Sequence, residues 1–268
     1  MYRSLPATIS EAEHRKLSMA ISAIVPQPII LRRARTFADL HFHQKWRIVW
    51  PHLARLPRGD VNVLDAGCGD GGWSLEIAAR RPAWSVTGID RDSVAIDRAQ
   101  SRCHTLGLSN VSFRSSDFVE FLPTSPVDLV LSICSTHYGA SDADTHLLFQ
   151  RMSSWLKPGG RLVLLGPRCD GERPFVSVLG QPRWHEVFSR SALTTLCGAS
   201  GLTIDQLMGR IGPLGTMAKQ LDWRRGDLGA AAGFVVRLLA RGLATVDALS
   251  HVPQNCSLMW LLVARRQA

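Results

Sequence analysis

Three glycines and two acidic residues fall within residues 65–71, which read Asp-Ala-Gly-Cys-Gly-Asp-Gly. A tight turn needs glycine, because glycine adopts unusual backbone dihedrals and lets the backbone approach a ligand without an intervening Cβ. Together with Gly72 the stretch satisfies G-x-G-x-x-G, the dinucleotide fingerprint, but a lone match of that kind is weak evidence. The pattern predicts a ligand-binding turn and leaves the ligand open.

The carboxylates of this loop favour one kind of ligand. Asp65 ends the preceding apolar run and Asp70 lies inside the loop, where a pyrophosphate would need helix N-terminal N–H groups instead. A cationic or zwitterionic ligand fits this charge better. A Walker phosphate loop is excluded, since no Gly-Lys-Ser or Gly-Lys-Thr follows.

Two further strand ends carry polar groups downstream. Asp90 follows Gly-Ile about 20 residues after the loop, a spacing typical of a carboxylate that grips a ribose diol. Asp117 is able to accept a hydrogen bond from an exocyclic amine, and Phe118 offers a ring face to a flat base. These residues predict a nucleoside-containing ligand.

In this order the motifs resemble those of the class I S-adenosylmethionine-dependent methyltransferases, in the generic small-molecule methyltransferase domain group. The resemblance is close over residues 61–167 and rests on the segments 64–69, 88–90, 116–117, 127–132 and 156–160. It implies S-adenosylmethionine as cofactor and S-adenosylhomocysteine as product. It says little about the methyl acceptor.

The resemblance also implies roles for individual residues. It puts Asp65, Gly67, Gly69 and Gly71 around the methionine portion, Asp90 on the ribose, Asp117 and Phe118 at the adenine, and Ser132 and Ile133 beside the sulfonium, and it adds Cys68, Arg91 and Ser116 to the cofactor-binding set. After the fourth strand the family usually has an acidic residue or asparagine, apolar residues, then Glu-His. This chain has Cys-Ser-Thr-His-Tyr at 134–138, which relocates the polar groups.

Candidate catalytic and substrate residues lie outside that set. His137 and Tyr138, just past the fourth strand, are able to deprotonate or orient an acceptor hydroxyl, and a structural histidine is the alternative. Trp184 and His185 follow the fifth strand, where the substrate loop of this fold usually lies, and an exposed helix start is their alternative. We expect His185 to be catalytic and Trp184 to bind substrate.

A ring-rich segment at 41–47 precedes the core, and we interpret it as a lid whose His41 and Trp46 bind substrate. A metal site built on His41 and His43 is not expected, because residues at i and i+2 do not share a helix face. A catechol-type carboxylate cluster after the fourth strand is also missing from the sequence. No metal is therefore predicted.

The elements that must position these residues follow from periodicity. Apolar runs at 61–66, 84–89, 111–115, 127–134 and 161–166 predict strands, and helical stretches at 73–81, 94–106 and 144–156 alternate with them. Such alternation indicates right-handed crossovers. We predict an α/β fold, a doubly wound, mostly parallel seven-stranded sheet whose last two strands, at 203–211 and 257–264, are antiparallel as the resemblance implies.

Two helical additions complete the predicted organisation. Residues 1–58 are expected to form an N-terminal helical cap or lid, and residues 59–268 the methyltransferase domain. Within that domain, residues 213–250 predict a helical insertion over the substrate side, because Val235, Leu238 and Leu239 form part of an apolar stripe at helical spacing.

Composition limits which partners and which cellular location the protein is expected to have. The 31 Lys and Arg residues exceed the 22 acidic ones, giving a net charge of +9, and this balance permits nucleic acid, anionic substrates or a membrane surface without selecting one. No apolar run is long enough for a membrane span, and no secretory leader is apparent. The six cysteines form no C-x-x-C pair. We expect a cytoplasmic protein, with peripheral lipid contact as an open possibility.

The leading functional hypothesis is methylation of a small molecule, with O-methylation favoured over N- or C-methylation, in specialised or lipid- or glycan-related metabolism. An RNA or protein methyltransferase is the alternative that the charge suggests, although nothing in the chain resembles an RNA-binding module or a concentrated basic patch. A second alternative is an enzyme of the same fold that uses the cofactor for cyclisation or elimination. The mass of the products separates these classes.

Overall fold

The computed structural model describes residues 39–135, 142–167, 188–212, 214–215, 217–218, 230–249 and 259–267. Contacts between Cα atoms divide the chain into two compact units. One unit comprises Met1–Arg47 and Gly212–His251, and the other comprises Ile48–Ile211 and Val252–Ala268. We call them the cap unit and the sheet unit. Their boundaries differ from the predicted domain limits of 1–58 and 59–268.

The sheet unit is built on one seven-stranded sheet, in the order β3-β2-β1-β4-β5-β7-β6. Its strands are β1 Asn62–Ala66, β2 Ser85–Asp90, β3 Val111–Ser115, β4 Val127–Ile133, β5 Leu156–Pro167, β6 Leu202–Arg210 and β7 Met259–Arg266. The first five strands pair in parallel, while β7 pairs antiparallel with both β5 and β6. This topology confirms the predicted doubly wound fold and its antiparallel last pair.

Helices alternate with the strands as the periodicity predicts. The helices of the sheet unit that follow β1 are α2 Gly72–Arg80, α3 Ser93–Leu106, α4 Asp142–Trp155 and α5 Arg190–Ala199. Side chains cap two of them: an Asp92 carboxylate oxygen accepts from two backbone N–H groups at the start of α3, and the Ser189 hydroxyl accepts from the Ala192 N–H at the start of α5. Such caps satisfy N–H groups that have no partner within the helix.

Large aromatic residues fill the core and pair their polar atoms. The Trp155 indole N–H donates to the Phe121 carbonyl at 3.1 Å, and the Trp260 indole N–H donates to the Phe188 carbonyl at 2.8 Å. Both indoles are almost completely buried. Pairing their N–H groups avoids the cost of burying an unsatisfied donor, so Trp155 ties the Phe121 backbone to the end of α4 and Trp260 ties the Phe188 backbone to β7.

Strand β5 begins five residues earlier than the prediction of 161–166. Val127 pairs with Leu156 and Leu129 with Arg161, so four residues on β5 lie opposite one residue of β4. Within that irregularity Gly159 has φ +75°, and the Lys157 ammonium lies 2.8 Å from an Asp128 carboxylate oxygen. Residues 157–160 therefore form an irregularity within β5, because β4 pairs with β5 on both sides of it.

The cap unit contains most of α1, Asp39–Ala54, which crosses the unit boundary, and all of α6, Ala230–Leu249. On one face of α6, Ala240, Ala244 and Asp247 are buried. Both Asp247 carboxylate oxygens lie 3.0 Å from the Gly212 N–H. This hydrogen bond fastens the entry of the insertion to the last turns of α6.

The predicted apolar stripe of the insertion is helical but not buried. Val235, Leu238 and Leu239 are 53%, 39% and 57% exposed, and Val246 on the same side of α6 is 52% exposed. On the buried side, Ala240 and Ala244 pack with Ala218. Among the helices of the described ranges, none has the length and apolar character that crossing a bilayer requires.

Candidate functional site

The glycine loop joins β1 to α2 at the carboxyl edge of the sheet. Gly67, Gly69 and Gly71 all have left-handed φ values, of 79°, 52° and 79°. The N–H groups of Gly67 and Cys68 both donate to the Ile89 carbonyl, at 2.8 Å and 3.0 Å. The loop is therefore tied to the end of β2, and L-residues at its three glycine positions would be strained.

The glycines differ in what surrounds them. A Cβ on Gly71 would lie 2.8 Å from the Phe113 ring and 2.9 Å from the Ala99 methyl, and one on Gly67 would clash with the Ser135 side chain. A Cβ on Gly69 would meet no heavy atom within 4 Å. Gly67 and Gly71 thus serve close packing, whereas the loop is open to a ligand at Gly69.

Asp90 lies beside this opening at the end of β2 and is half-buried. One of its carboxylate oxygens accepts from the Gly69 N–H at 2.8 Å, and the other accepts from the Asp92 N–H at 3.0 Å. Each carboxylate oxygen has two lone pairs, so both can accept another hydrogen bond. A carboxylate fixed in this way is suited to binding a pair of hydroxyl groups.

Asp65 occupies a different environment. Its side chain is 1% exposed, and one oxygen accepts from the Ser74 hydroxyl of α2 at 2.6 Å. Burial raises the pKa of Asp65 to about 6, the hydrogen bond from Ser74 opposes that shift, and the nearby charge of Asp90 adds to it. The Asp65 carboxylate thus joins the end of β1 to the first turn of α2 through Ser74.

The neighbouring loop residues Cys68 and Asp70 also have defined partners. Cys68 is buried, and burial with nearby carboxylates raises the pKa of its thiol. Asp70 is exposed, and its carboxylate lies 2.7 Å from the Arg102 guanidinium. The charge of Asp70 is thus paired at the surface, and Asp90 is the loop-side carboxylate that stays available to a ligand.

Residues after β3 border the same loop. The Ser116 N–H donates to the Asp90 carbonyl at 2.9 Å, and the exposed Asp117 carboxylate accepts from the Val119 N–H at 2.9 Å. Phe118 is half-buried, packs edge-on against Trp155, and its ring tip would lie 3.1 Å from a Cβ on Gly67. Phe118 therefore has an aromatic ring next to the loop, and its role at the adenine stays a prediction, while Arg91 is exposed to solvent.

Strand β4 ends beside β1 with two buried residues, Ser132 and Ile133. Beyond them lies Ser135, which the sequence analysis did not single out. Its hydroxyl donates to the Ala66 carbonyl at 2.8 Å and lies 2.7 Å from the Ser132 hydroxyl. The signal that could have found it is the departure from the family pattern at 134–138, where hydroxyl groups replace the usual residues.

The remaining predicted residues are the candidates for catalysis and for binding the methyl acceptor. His137, Tyr138, Trp184 and His185 lie outside the described residues, as does the side chain of His41. Trp46 lies in the cap unit, is 3% exposed, and stacks on Phe42 with ring centroids 5.8 Å apart. Across the described ranges no group of three or more His, Cys, Asp or Glu side chains could hold a metal ion.

The described residues fit S-adenosylmethionine. The loop is open at Gly69, Asp90 keeps acceptor capacity beside that opening, and the Phe118 ring borders the loop. Carboxylate and carbonyl oxygens favour ammonium and sulfonium charges, whereas a pyrophosphate requires donors or cations. The carboxyl edge between β1 and β4 is also where the strand order reverses, the usual ligand crevice of an open α/β sheet.

Sequence comparisons agree with this geometry. Residues 57–208 match the model of a family described as a methyltransferase domain. Trans-aconitate 2-methyltransferase of Streptomyces avermitilis is 30% identical over 139 residues, which are 50% of this chain and 46% of that protein. Demethylmenaquinone methyltransferase of Listeria welshimeri is 26% identical over 184 residues, 68% of this chain and 71% of that protein. The chain spans about half the length of the two trans-aconitate methyltransferases it matches, 46% and 48%.

Solved structures share the fold. Geranyl diphosphate C-methyltransferase from Streptomyces coelicolor, solved with S-adenosylhomocysteine, has a TM-score of 0.58 at 20% identity, covering 86% of this chain and 82% of that one. The cyclase SpnF has a TM-score of 0.55 at 21% identity, covering 78% and 76%. At these identities the likeness concerns the fold alone.

Proposed function

The chain belongs to the class I S-adenosylmethionine-dependent methyltransferase family, and from that premise we propose that it methylates a small molecule. The observation that carries the proposal is the opening at Gly69 beside the oriented carboxylate of Asp90. Small-molecule acceptors in the names of the relatives, trans-aconitate and demethylmenaquinone, support the substrate class. A cytoplasmic location stays a prediction.

In the proposed reaction the bound donor supplies a methyl carbon activated by its sulfonium. The acceptor atom forms a bond to that carbon as the carbon–sulfur bond breaks, and the electron pair leaves with sulfur to give S-adenosylhomocysteine. The protein's work is alignment: Asp90 binds the ribose hydroxyls, Phe118 packs against the adenine, and the glycine loop holds the methionine end. These roles stay proposals.

We favour transfer to oxygen over transfer to nitrogen or carbon. A hydroxyl is a poor nucleophile until its proton is removed, and His137 has an imidazole suited to that step near neutral pH. Two further candidates for accepting or orienting the proton are Tyr138 and His185. We propose that the acceptor contacts His41, Trp46 and Trp184. An acceptor that is already ionised would need no base.

Mass spectrometry of reaction products tests the proposal. The protein is incubated with S-adenosylmethionine and panels of small carboxylic acids, phenols and quinols. We expect S-adenosylhomocysteine together with an acceptor heavier by one methylene. Methylthioadenosine would indicate attack at another donor carbon, and methylated RNA or protein without any methylated small molecule would contradict the substrate class.

The exposed stripe of α6 supports peripheral lipid contact, which would suit an apolar acceptor. Val235, Leu238, Leu239 and Val246 expose apolar side chains on one side of α6, and the one acidic residue in the helix sequence, Asp247, is buried. A cationic helix with an apolar face binds anionic bilayers. Pelleting with phosphatidylglycerol vesicles at physiological salt, lost in a Leu238→Glu/Leu239→Glu variant, is the expected result. Equal pelleting of both proteins would contradict it.

A further inference from the structure

Ser135 forms a hydroxyl bridge between two strands of the sheet unit. Its Oγ donates to the Ala66 carbonyl of β1 at 2.8 Å, and the Ser132 Oγ of β4 lies 2.7 Å away. Because the single Ser135 proton is used on Ala66, Ser132 must be the donor in the second hydrogen bond. Ser135 then keeps one lone pair for another partner.

An unusual backbone conformation produces this bridge. Cys134 has φ +58°, a left-handed value that is rare for a residue with a side chain. Its N–H donates to the Leu165 carbonyl of β5 at 2.7 Å, so the residue is still held to the sheet. The left-handed turn at Cys134 brings Ser135 back to β1 instead of letting the chain continue along β4. Strain of this kind persists only where the surrounding structure requires it.

The bridge lies at a chemically important point. Strands β1 and β4 are the neighbours between which the strand order reverses, and Ala66 immediately precedes the first glycine of the loop. A Cβ on Gly67 would lie 2.8 Å from the Ser135 Oγ and would clash with its Cβ. The serine therefore packs against the first glycine of the loop, directly after the end of β4.

The geometry points to Ser135 as a positioning residue that fixes the start of the glycine loop against the end of β4, so that the methionine half of the donor is held in register for transfer. The inference rests on the proposed function. Loss of the hydroxyl should affect binding of the adenosine half least. Asp117 and Phe118, proposed for that half, follow β3, and Asp90, the last residue of β2, is also held by the Asp92 N–H. Loss of the hydroxyl should weaken binding of the methionine half, because a glycine loop that is displaced even slightly binds and aligns that half less well.

Ser135→Ala is a clean deletion, since alanine keeps the Cβ that lies against Gly67 and removes only the oxygen. Calorimetry and competition assays on the full chain would measure affinity for S-adenosylhomocysteine and for adenosine. We expect Ser135→Ala to lower the affinity for S-adenosylhomocysteine by about tenfold, the scale of one hydrogen bond, and to leave the affinity for adenosine unchanged within about twofold. Ser154→Ala removes an exposed hydroxyl bond to the Arg151 carbonyl on α4 and should change neither affinity.

Ser132→Ala is the second variant, because it removes only the donor to Ser135. Ser132→Ala should lower the affinity for S-adenosylhomocysteine by about threefold. The double variant should bind S-adenosylhomocysteine as well as Ser135→Ala alone does, since both changes interrupt one chain of hydrogen bonds. Unchanged S-adenosylhomocysteine affinity in folded Ser135→Ala, or equal losses for both ligands, would overturn the inference. If Ser135→Ala does not fold, unchanged affinity in Ser132→Ala overturns it. Failure of the unmodified protein to bind S-adenosylhomocysteine would contradict the proposed function itself.

Discussion

Asp65 is a single residue whose protonation couples folding to pH. Burial raises its pKa from 3.8 to about 6, so between those values the folded protein holds a proton that the unfolded chain has lost. Its contribution to stability is therefore present below about pH 4, falls as the pH rises towards 6, and is constant above that. The fall should amount to no more than about 3 kcal/mol.

Asp65→Asn removes this titration while keeping an oxygen that can accept from Ser74. Urea unfolding between pH 4 and 8 would give the free energy of unfolding of the parent protein and the variant. We expect the parent-minus-variant difference to fall between about pH 4 and 6 and then to level off. Asp97→Asn, at an exposed position of α3, is the control and should show no such fall. Parallel curves for the parent protein and Asp65→Asn would contradict the account.

His137 carries the proposed acid–base role. Loss of a general base typically lowers turnover by about 100-fold to 10,000-fold and leaves cofactor binding intact, so His137→Ala should separate chemistry from binding. His104→Ala, at an exposed position near the end of α3, is the matched control. Turnover within about threefold of the parent on the true acceptor would remove His137 from the mechanism and leave alignment alone to account for the rate.

The residues of the site differ in how far the sequence could predict them. The start of the glycine loop, Asp90 and Phe118 could be predicted to lie near each other because they lie at or within three residues of strand ends, and the carboxyl ends of parallel strands meet at one edge of a sheet. The hydroxyl bridge of Ser135 could not, because it depends on a left-handed φ at Cys134 that no local pattern indicates. The ion pair between Asp70 and Arg102 could not be predicted either, because the two residues are 32 positions apart in the sequence.

At the scale of elements, the cap unit depends on close packing between its helices and the entry of the insertion. A Cβ on Gly215 would lie 2.6 Å from an Asp247 carboxylate oxygen and would clash with the Gln44 amide nitrogen, and both side chains are buried. Because both side chains are buried and Asp247 also accepts from the Gly212 N–H, a shift of either one is costly, and Gly215→Ala should destabilise the protein by about 1 to 3 kcal/mol. Chemical denaturation of the full chain would measure the change.

Gly242→Ala is the matched control on α6. Gly242 is exposed, and a Cβ there would meet no heavy atom within 4 Å. Alanine is the better helix former, so this variant should be more stable by roughly 0.5 to 1 kcal/mol. Opposite signs for the two glycines are the expected result. Equal stabilisation by both substitutions would show that Gly215 has more room than its neighbours indicate.

Element bounds in the sheet unit could be predicted to within a residue or two where apolar runs end at glycine, proline or aspartate, as for β3 at Val111–Ser115. The early start of β5 could not, because the glycines at 159 and 160 that signal a turn here form a bulge that pairing on both sides maintains. The stripe of α6 shows a further limit. Periodicity identifies an apolar face without saying whether this chain covers it.

At the scale of the whole molecule, the doubly wound, mostly parallel sheet could be predicted, because strands alternate with helices along the chain and right-handed crossovers leave few topologies for such a chain. The division into two units could not, since the cap unit joins segments from both ends of the sequence, Met1–Arg47 and Gly212–His251. Because the cap unit consists of two segments that are distant in the sequence, no continuous pattern of apolar residues indicates that they form one unit.

The most direct test of the account is a calorimetric titration of the full chain with S-adenosylhomocysteine and, separately, with NAD. We predict that S-adenosylhomocysteine binds and NAD does not. We also predict that Asp90→Ala weakens the binding free energy of S-adenosylhomocysteine by roughly 1.5 to 3 kcal/mol through loss of charge-assisted hydrogen bonds. Asp97→Ala, on the exposed face of α3, should bind like the parent protein. Binding of NAD without S-adenosylhomocysteine, or unchanged affinity in a folded Asp90→Ala variant, would contradict the central claim.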